Sequence, residues 1–250
     1  MKAVFTCGGT GGHINPALAV ARVLLERRPD SEILFVGAED GMEATLVPRE
    51  GFRLETLQIS SYMRSLKPSA IRHNVRAALS IRRALKKADR IIRDFQPDVI
   101  LGTGGYASYP MLHEGARLGI PTAVHESNAV PGLATKMVAD KVDRILVSFA
   151  DSRSAYRDPS RVIAVGMPVR EEFVFTRRAD ARRALGLNEK TPMIVSAWGS
   201  LGAREMNKKI AQFMKLECEQ DCWRHIHATG SFGWRWMPDY VKEQGVELEK

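Results

Sequence analysis

An imidazole stands at the lip of a glycine cluster. In Cys7-Gly8-Gly9-Thr10-Gly11-Gly12-His13-Ile14-Asn15-Pro16, four glycines and a threonine precede His13 and follow the apolar run Ala3-Val4-Phe5. Glycine lets the backbone take positive φ and come close to a ligand, and a helix start presents free N–H groups to an anion. A histidine in that place is able to take a proton from a hydroxyl held by the loop near neutral pH. Its alternative role is to brace the loop through a backbone hydrogen bond. The spacing is neither the dinucleotide fingerprint G-x-G-x-x-G nor the P-loop G-x-x-x-x-G-K-[ST].

Other polar residues stand at comparable places. Gly102-Thr103-Gly104-Gly105-Tyr106 follows Val99–Leu101, and Trp198-Gly199-Ser200-Leu201-Gly202 follows a third apolar run. His125-Glu126-Ser127-Asn128 also follows a strand-like run, so Glu126 and Asn128 are placed to hold sugar hydroxyls or to orient His13; a structural role for Glu126 is the alternative. Arg170 is placed to meet a phosphate or is a plain surface arginine. Ser200 opens a helix, where it either helps hold a diphosphate or caps the helix. No Ser-x-x-Lys, G-x-S-x-G or H-E-x-x-H motif is present, and no D-x-D clamp. Charge on a leaving group is then expected to fall to helix N-termini, Arg170 and Ser200 rather than to a metal. Cys218 and Cys222 followed by His225 and His227 could be drawn as a metal site, but they lack a second cluster or a C-x2-C knuckle, so no metal and no cofactor are expected.

The elements that must position these residues alternate. Strands are expected at Ala3–Thr6, Glu32–Val36, Arg53–Gln58, Asp98–Leu101, Thr122–His125, Arg144–Val147 and Val162–Val165. Helices are expected at Pro16–Arg27, with Asn15 as N-cap and Pro16 as first helical residue, and at Ala70–Phe95, Tyr109–Leu118 and Gly132–Asp140. Between 70 and 95 the apolar residues Ile71, Val75, Ala78, Leu85, Ala88, Ile92 and Phe95 form one helical stripe, which reads as a core face. The βα alternation predicts an α/β fold with a mostly parallel sheet and helices on both faces. In such sheets ligands bind at the carboxyl ends of the strands, so the glycine loops are expected to face one crevice.

The alternation pauses at Gly166-Met167-Pro168-Val169-Arg170, which places a domain boundary between residues 1–165 and 166–250. A second α/β unit follows, with a strand at Pro192–Ala197, a helix to about Glu217 and one more strand and helix. Only two strands are legible there, thin for an independent α/β domain. The 250 residues carry 44% hydrophobic and 26% charged side chains, ordinary for a globular protein. The N-terminus lacks a signal-peptide pattern and no apolar run reaches a membrane span, so a cytoplasmic chain is expected, in keeping with its three cysteines. Net charge is +8. Its densest stretch runs through Arg64, Lys67, Arg72, Arg76, Arg82, Arg83, Lys86, Lys87, Arg90 and Arg93, against Asp89 alone; it reads as a solvated face or as a contact for an anionic surface. Without aromatic interleaving or a recognisable module, nucleic acid is not expected as a partner.

Five motifs in order resemble the MurG family of peptidoglycan N-acetylglucosaminyltransferases: G-G-T-G-G-H-x-x-P at Gly8–Pro16, T-G-G-Y-A-S at Thr103–Ser108, H-E-S-N at His125–Asn128, G-M-P-V-R at Gly166–Arg170 and G-S-L-G-A at Gly199–Ala203. Gly41-Met42-Glu43 and Val47-Pro48 look similar too, and the likeness runs the length of the chain. The resemblance implies a GT-B fold of two Rossmann-like domains, the first binding acceptor and membrane, the second the sugar donor. It implies inverting transfer of GlcNAc from UDP-GlcNAc to the lipid-linked MurNAc-pentapeptide (lipid I), forming lipid II without a cofactor. Thr10, Gly11, Gly12, Asn128, Arg170 and Ser200 match family positions that contact UDP-GlcNAc, and His13 matches the candidate general base. Gly104, Gly105, Tyr106 and Glu126 fall on the acceptor side.

The family works peripherally at the cytoplasmic face of the cell membrane, through an apolar patch ringed by basic residues. Met63, Leu66 and Ile71 among Arg64, Lys67 and Arg72 suit that role. Two departures are visible: Trp198 where the family commonly has glycine, expected to crowd the strand end, and Leu201 where it has glutamine. The family is also longer, so the second domain is expected to be incomplete, and the 250-residue chain alone is expected to hold lipid I without turning over UDP-GlcNAc. The competing expectation is a non-catalytic, acceptor-binding and membrane-docking subunit of a split glycosyltransferase.

Overall fold

A computed structural model describes residues 1–59, 68–199, 201–220 and 223–246, and only the backbone of 68–76, 78 and 79. Ser200, Cys222 and the expected membrane residues Met63, Arg64, Leu66 and Lys67 lie outside the described residues, as do the side chains of Ile71, Arg72, Val75, Arg76 and Ala78. The chain divides into two compact units, Met1–Val174 and Phe175–Lys250. The sequence places the boundary nine residues earlier, at the glycine-proline segment.

The first unit holds seven strands: β1 (Lys2–Thr6), β2 (Glu32–Ala38), β3 (Arg53–Leu57), β4 (Val99–Gly102), β5 (Thr122–Glu126), β6 (Arg144–Val147) and β7 (Val162–Ala164). All pair in parallel, in the order β3-β2-β1-β4-β5-β6-β7. The order reverses between β1 and β4, so the loops after these two neighbours open beside each other.

Alternation along β1 divides the core. Val4 points into a cluster with Leu34, Ile100, Met111, Leu112 and Ile145, whereas Ala3 and Phe5 join Ile14, Leu18, Phe35 and Val47 on the other face. Helices α1 (Gly11–Arg27) and α2 (Glu43–Arg49) supply the second cluster; α3 (Pro68–Phe95), α4 (Ser108–Arg117) and α5 (Leu133–Val138) supply the first. In α3, Ala84, Ala88, Ile91 and Ile92 are buried while Arg82, Arg83, Lys86, Lys87, Arg90 and Arg93 are exposed. Gln96 in the left-handed region and Pro97 end that helix.

Two local expectations need correction. Helix α1 starts at Gly11, not Pro16; Thr10 is its N-cap and makes no side-chain cap bond, and Pro16 lies inside. Glycine costs about 1 kcal/mol per helical position, so propensity alone delays the start. Tertiary contacts override it: Ile14 is fully buried, and Thr103 Oγ1 donates to the His13 carbonyl over 2.6 Å. His13 is therefore the third residue of the helix rather than a loop residue. Helix α2 has no counterpart in the sequence reading, because it is seven residues long with Pro48 inside.

In the second unit, β8 (Met193–Ala197) and β9 (Arg224–Ala228) pair in parallel, with α7 (Arg178–Ala184), α8 (Arg204–Gln220) and α9 (Met237–Glu243). Its core is small: Ala211, Met237, Val241 and Val246. The short α6 (Glu171–Phe175) spans the division between the units.

Candidate functional site

The loops after β1 and β4 meet over a cavity of about 430 Å³. Gly8, Gly9, Thr10 and His13 line it from one side and Gly104, Gly105 and Tyr106 from another; Glu126 and Asn128 reach it from the end of β5. Ile59, Ile81, Tyr109, Leu133 and Met137 complete an apolar wall. The backbones touch so closely that glycine is required at the crossing. A Cβ on Gly105, which has φ +82°, would sit 2.1 Å from the Gly8 carbonyl oxygen.

His13 braces the loop through one nitrogen of its ring. Nδ1 lies 3.0 Å from the Gly8 carbonyl and 3.4 Å from Thr10 Oγ1. A carbonyl only accepts, so Nδ1 carries a hydrogen, and in the neutral ring Nε2 is then the nitrogen with the lone pair. Nε2 lies beside Gly104, where a Cβ would come within 3.2 Å of it. A brace at Nδ1 thus leaves a proton acceptor at the cavity wall.

Glu126 is spent on the architecture of its own loop. Oε1 accepts from Asn128 N–H at 2.9 Å and Asn128 Nδ2 at 2.7 Å; Oε2 accepts from Gly132 N–H at 2.9 Å and Thr135 Oγ1 at 2.6 Å. Burial pushes this carboxyl up, but the bonds from Thr135, Asn128 and Gly132 outweigh it and hold it below the usual glutamate range. No bond joins Glu126 to His13 among the described residues. Its effect is to aim Asn128, whose Oδ1 remains available to a ligand.

Burial, then the carboxylates of Glu43 and Asp40, raise the Tyr106 phenol, so it stays a hydrogen-bond donor. His125, one residue before Glu126, is buried and donates through Nε2 to the Gly166 carbonyl at 3.0 Å. Burial lowers its pKa despite that bond. It thereby ties the segment carrying Arg170 to β5. Arg170 Nη2 rests 3.4 Å from Asn15 Oδ1 and 3.6 Å from Glu50 Oε1.

Thr10, Gly11, Gly12, His13, Gly104, Gly105, Tyr106, Glu126, Asn128 and Arg170 all lie in the first unit. The third glycine loop lies in the second. There Trp198 is about one-third exposed, at 36%. The backbone at Gly202 presses on that of Thr229, whose oxygen a Cβ would meet at 2.1 Å. His225 and His227 form no metal cluster with other described residues. Ser196 Oγ sits between them, 2.7 Å from His225 Nε2 and 2.7 Å from His227 Nδ1.

The sequence reading gives no role to Glu43, which lies beneath the first loop with no exposed surface. The usable signal is its setting, a carboxylate two residues after Gly41 and six after Gly37.

A doubly wound parallel sheet with glycine loops at its carboxyl edge defines a Rossmann-type domain of the GT-B kind. Residues 3–147 match the glycosyltransferase family 28 N-terminal domain. The UDP-N-acetylglucosamine–N-acetylmuramyl-(pentapeptide) pyrophosphoryl-undecaprenol N-acetylglucosamine transferase of Acetivibrio thermocellus is 39% identical over 92% of this chain and 61% of its own length. The transferase of the same name from a Thermoanaerobacter species is 40% identical over 100% of this chain and 67% of its own. The chain belongs to this MurG group of glycosyltransferase family 28.

Among solved structures, MurG of Acinetobacter baumannii superposes with a TM-score of 0.63 at 22% identity, covering 99% of this chain and 66% of that one. A UDP-GlcNAc 2-epimerase from Neisseria meningitidis gives a TM-score of 0.63 at 14% identity, over 99% of this chain and 70% of that one. At these identities the two structures report the fold. The chain spans about two thirds or less of the length of these transferases.

Proposed function

We propose that this protein transfers GlcNAc from UDP-GlcNAc to the hydroxyl of a lipid-linked muramyl acceptor, and that its first unit carries the acceptor site. The observation that carries this reading is His13: Nδ1 bonded to Gly8, Nε2 left as a base at a cavity with one polar and one apolar wall. The acceptor hydroxyl attacks the anomeric carbon of GlcNAc and its proton passes to His13 Nε2. The bond from that carbon to the diphosphate oxygen breaks, and UDP leaves with the electron pair. One displacement inverts the anomeric configuration.

Thr10 and the free N–H groups of Gly11 and Gly12 face the developing negative charge, with Asn128 and Arg170 on the sugar and diphosphate. Gly104, Gly105 and Tyr106 line the acceptor side. The second unit supplies the loop with Ser200 for the donor diphosphate. The basic side of α3 and the exposed Val130, Leu133 and Met137 suit an anionic membrane surface that presents the lipid. No helix among the described residues is long and apolar enough to cross a membrane.

The test pairs labelled UDP-GlcNAc with a soluble lipid I analogue, following both acceptor binding and sugar transfer. Transfer that depends on His13 supports the reading. Acceptor binding without transfer is the outcome expected of a non-catalytic docking subunit, and binding of neither substrate contradicts both.

A further inference from the structure

We propose that Glu43 is the positioning residue for His13 and that it acts through one peptide group, the amide between Gly8 and Gly9. This rests on the reading of His13 as the base. The N–H of that amide donates to Glu43 Oε2 at 3.1 Å, and the carbonyl of the same amide accepts from His13 Nδ1 at 3.0 Å. A carboxylate, a peptide and an imidazole therefore form one line of hydrogen bonds. A negative charge at the N–H end draws the amide toward its dipolar form, which makes the carbonyl oxygen a better acceptor. The Nδ1–H tautomer is favoured and Nε2 is left as the base. The division of labour is that of a carboxylate bonded directly to a histidine, with a peptide between them.

The surroundings are built for that line. Glu43 is fully buried, and its second oxygen, Oε1, accepts from Ala38 N–H at 2.7 Å. Space for the carboxylate comes from three glycines. A Cβ on Gly8 would lie 2.5 Å from Glu43 Oε1, one on Gly37 2.3 Å from Cγ, and one on Gly41 2.3 Å from the carboxylate. Gly105 closes the far side of the peptide, against the Gly8 oxygen. Thr10 Oγ1, the other neighbour of Nδ1 at 3.4 Å, either gives or takes a hydrogen and so selects no tautomer. After burial itself, the charge of Glu43 is a cause raising both the Cys7 thiol and the Tyr106 phenol. Gly9 N–H is consequently not a ligand donor; anion binding at this loop falls to the Thr10–Gly12 end.

The experiment is ¹⁵N NMR of histidine-labelled chain, alkaline enough to keep the imidazoles neutral and without any substrate. In the unmodified chain His13 is expected in the Nδ1–H form; a predominant Nε2–H form overturns the proposal. Glu43→Gln keeps the shape but can accept from only one of the two N–H groups. The Nδ1–H to Nε2–H ratio of His13 should fall by about twofold or more, because the His13–Gly8 bond stays and loses only the strengthening that the carboxylate gives it. His125, held by the Gly166 carbonyl, reports in the same spectrum and should keep its Nε2–H form. An unchanged His13 ratio, or equal drift in His125, overturns the proposal. If Glu43→Gln does not fold, Glu43→Asp, which keeps the charge but draws it back from Gly9 N–H, is read in the same spectrum, and an unchanged His13 ratio there overturns the proposal. No sugar takes part, so failure of the transferase reading and failure of this one are separate results.

Discussion

His13, in the helix that follows β1, and the pair His225 and His227, within β9, show how similar side chains come to different ends. His13 commits one nitrogen to the protein and presents the other to a cavity. The histidines of β9 commit all four. His225 bonds Glu217 through Nδ1 at 2.7 Å and Ser196 through Nε2; His227 bonds Ser196 through Nδ1 and Asn207 through Nε2 at 3.2 Å. The glycines differ in the same way. Both sets let two backbones touch, Gly105 on Gly8 and Gly202 on Thr229, but around Gly8 the missing side chains also make room for the Glu43 carboxylate. Chemistry needs an uncommitted atom at a cavity, and only the first arrangement has one. The second is a structural brace.

The largest expected effect separates the two directly. In a full-length transferase, replacing His13 by alanine should lower sugar transfer by about 10²–10⁴, with UDP-GlcNAc binding and folding little changed. A loss below about threefold would reduce His13 to a brace like its counterparts in β9. The reverse pattern is expected for Glu217→Ala, which leaves the nearly buried His225 without its carboxylate. It should cost roughly 1–3 kcal/mol in the second unit, the loss of a buried hydrogen bond to a carboxylate, read by denaturant unfolding, with acceptor binding by the first unit unchanged. Gly105→Ala strikes the contact at Gly8 and should cost roughly 1–3 kcal/mol from its positive φ alone, more with the collision. Here both unfolding and acceptor binding are measured, and both should suffer.

A pH series sharpens the comparison within the first unit. The folded-state pKa of Glu126 is depressed, so its stabilisation is complete above the unfolded value, about 4.3, and is lost as pH falls through the lower folded value. The gap in melting temperature between the unmodified chain and Glu126→Gln should close as pH falls through that window. A gap constant from pH 7 to pH 3 would mean the carboxylate does not hold the Asn128 loop. The smallest effect concerns the surface. Sedimentation with anionic liposomes should weaken with added salt, and equal binding to neutral liposomes would remove the charge of α3 from the account.

The inner strands of the first unit were legible as short apolar runs, as a sheet covered on both faces demands, and the edge strand β3 by its alternation of Leu54 with Arg53 and Glu55. The loop residues were legible for the same reason: they follow those runs. What escaped was set by distance in sequence. Glu43 meets Gly9 across 34 positions, and nothing local shows that its carboxylate fits under Gly8. The start of α1 escaped because packing of Ile14 overrides the poor propensity of Gly11 and Gly12. The partner of His225 and His227 escaped as well: Ser196, 29 and 31 residues away in sequence, bonds both.

The central claim is that the cavity between the first two glycine loops receives the sugar acceptor. Titration of ¹⁵N-labelled chain with a soluble lipid I analogue tests it most directly. The account predicts saturable shifts at Thr10–His13, Gly104–Tyr106 and Asn128, sparing the backbone of β8 and β9, and weakened in Gly105→Ala. Saturable binding that leaves His13 and Gly104 unmoved would contradict it.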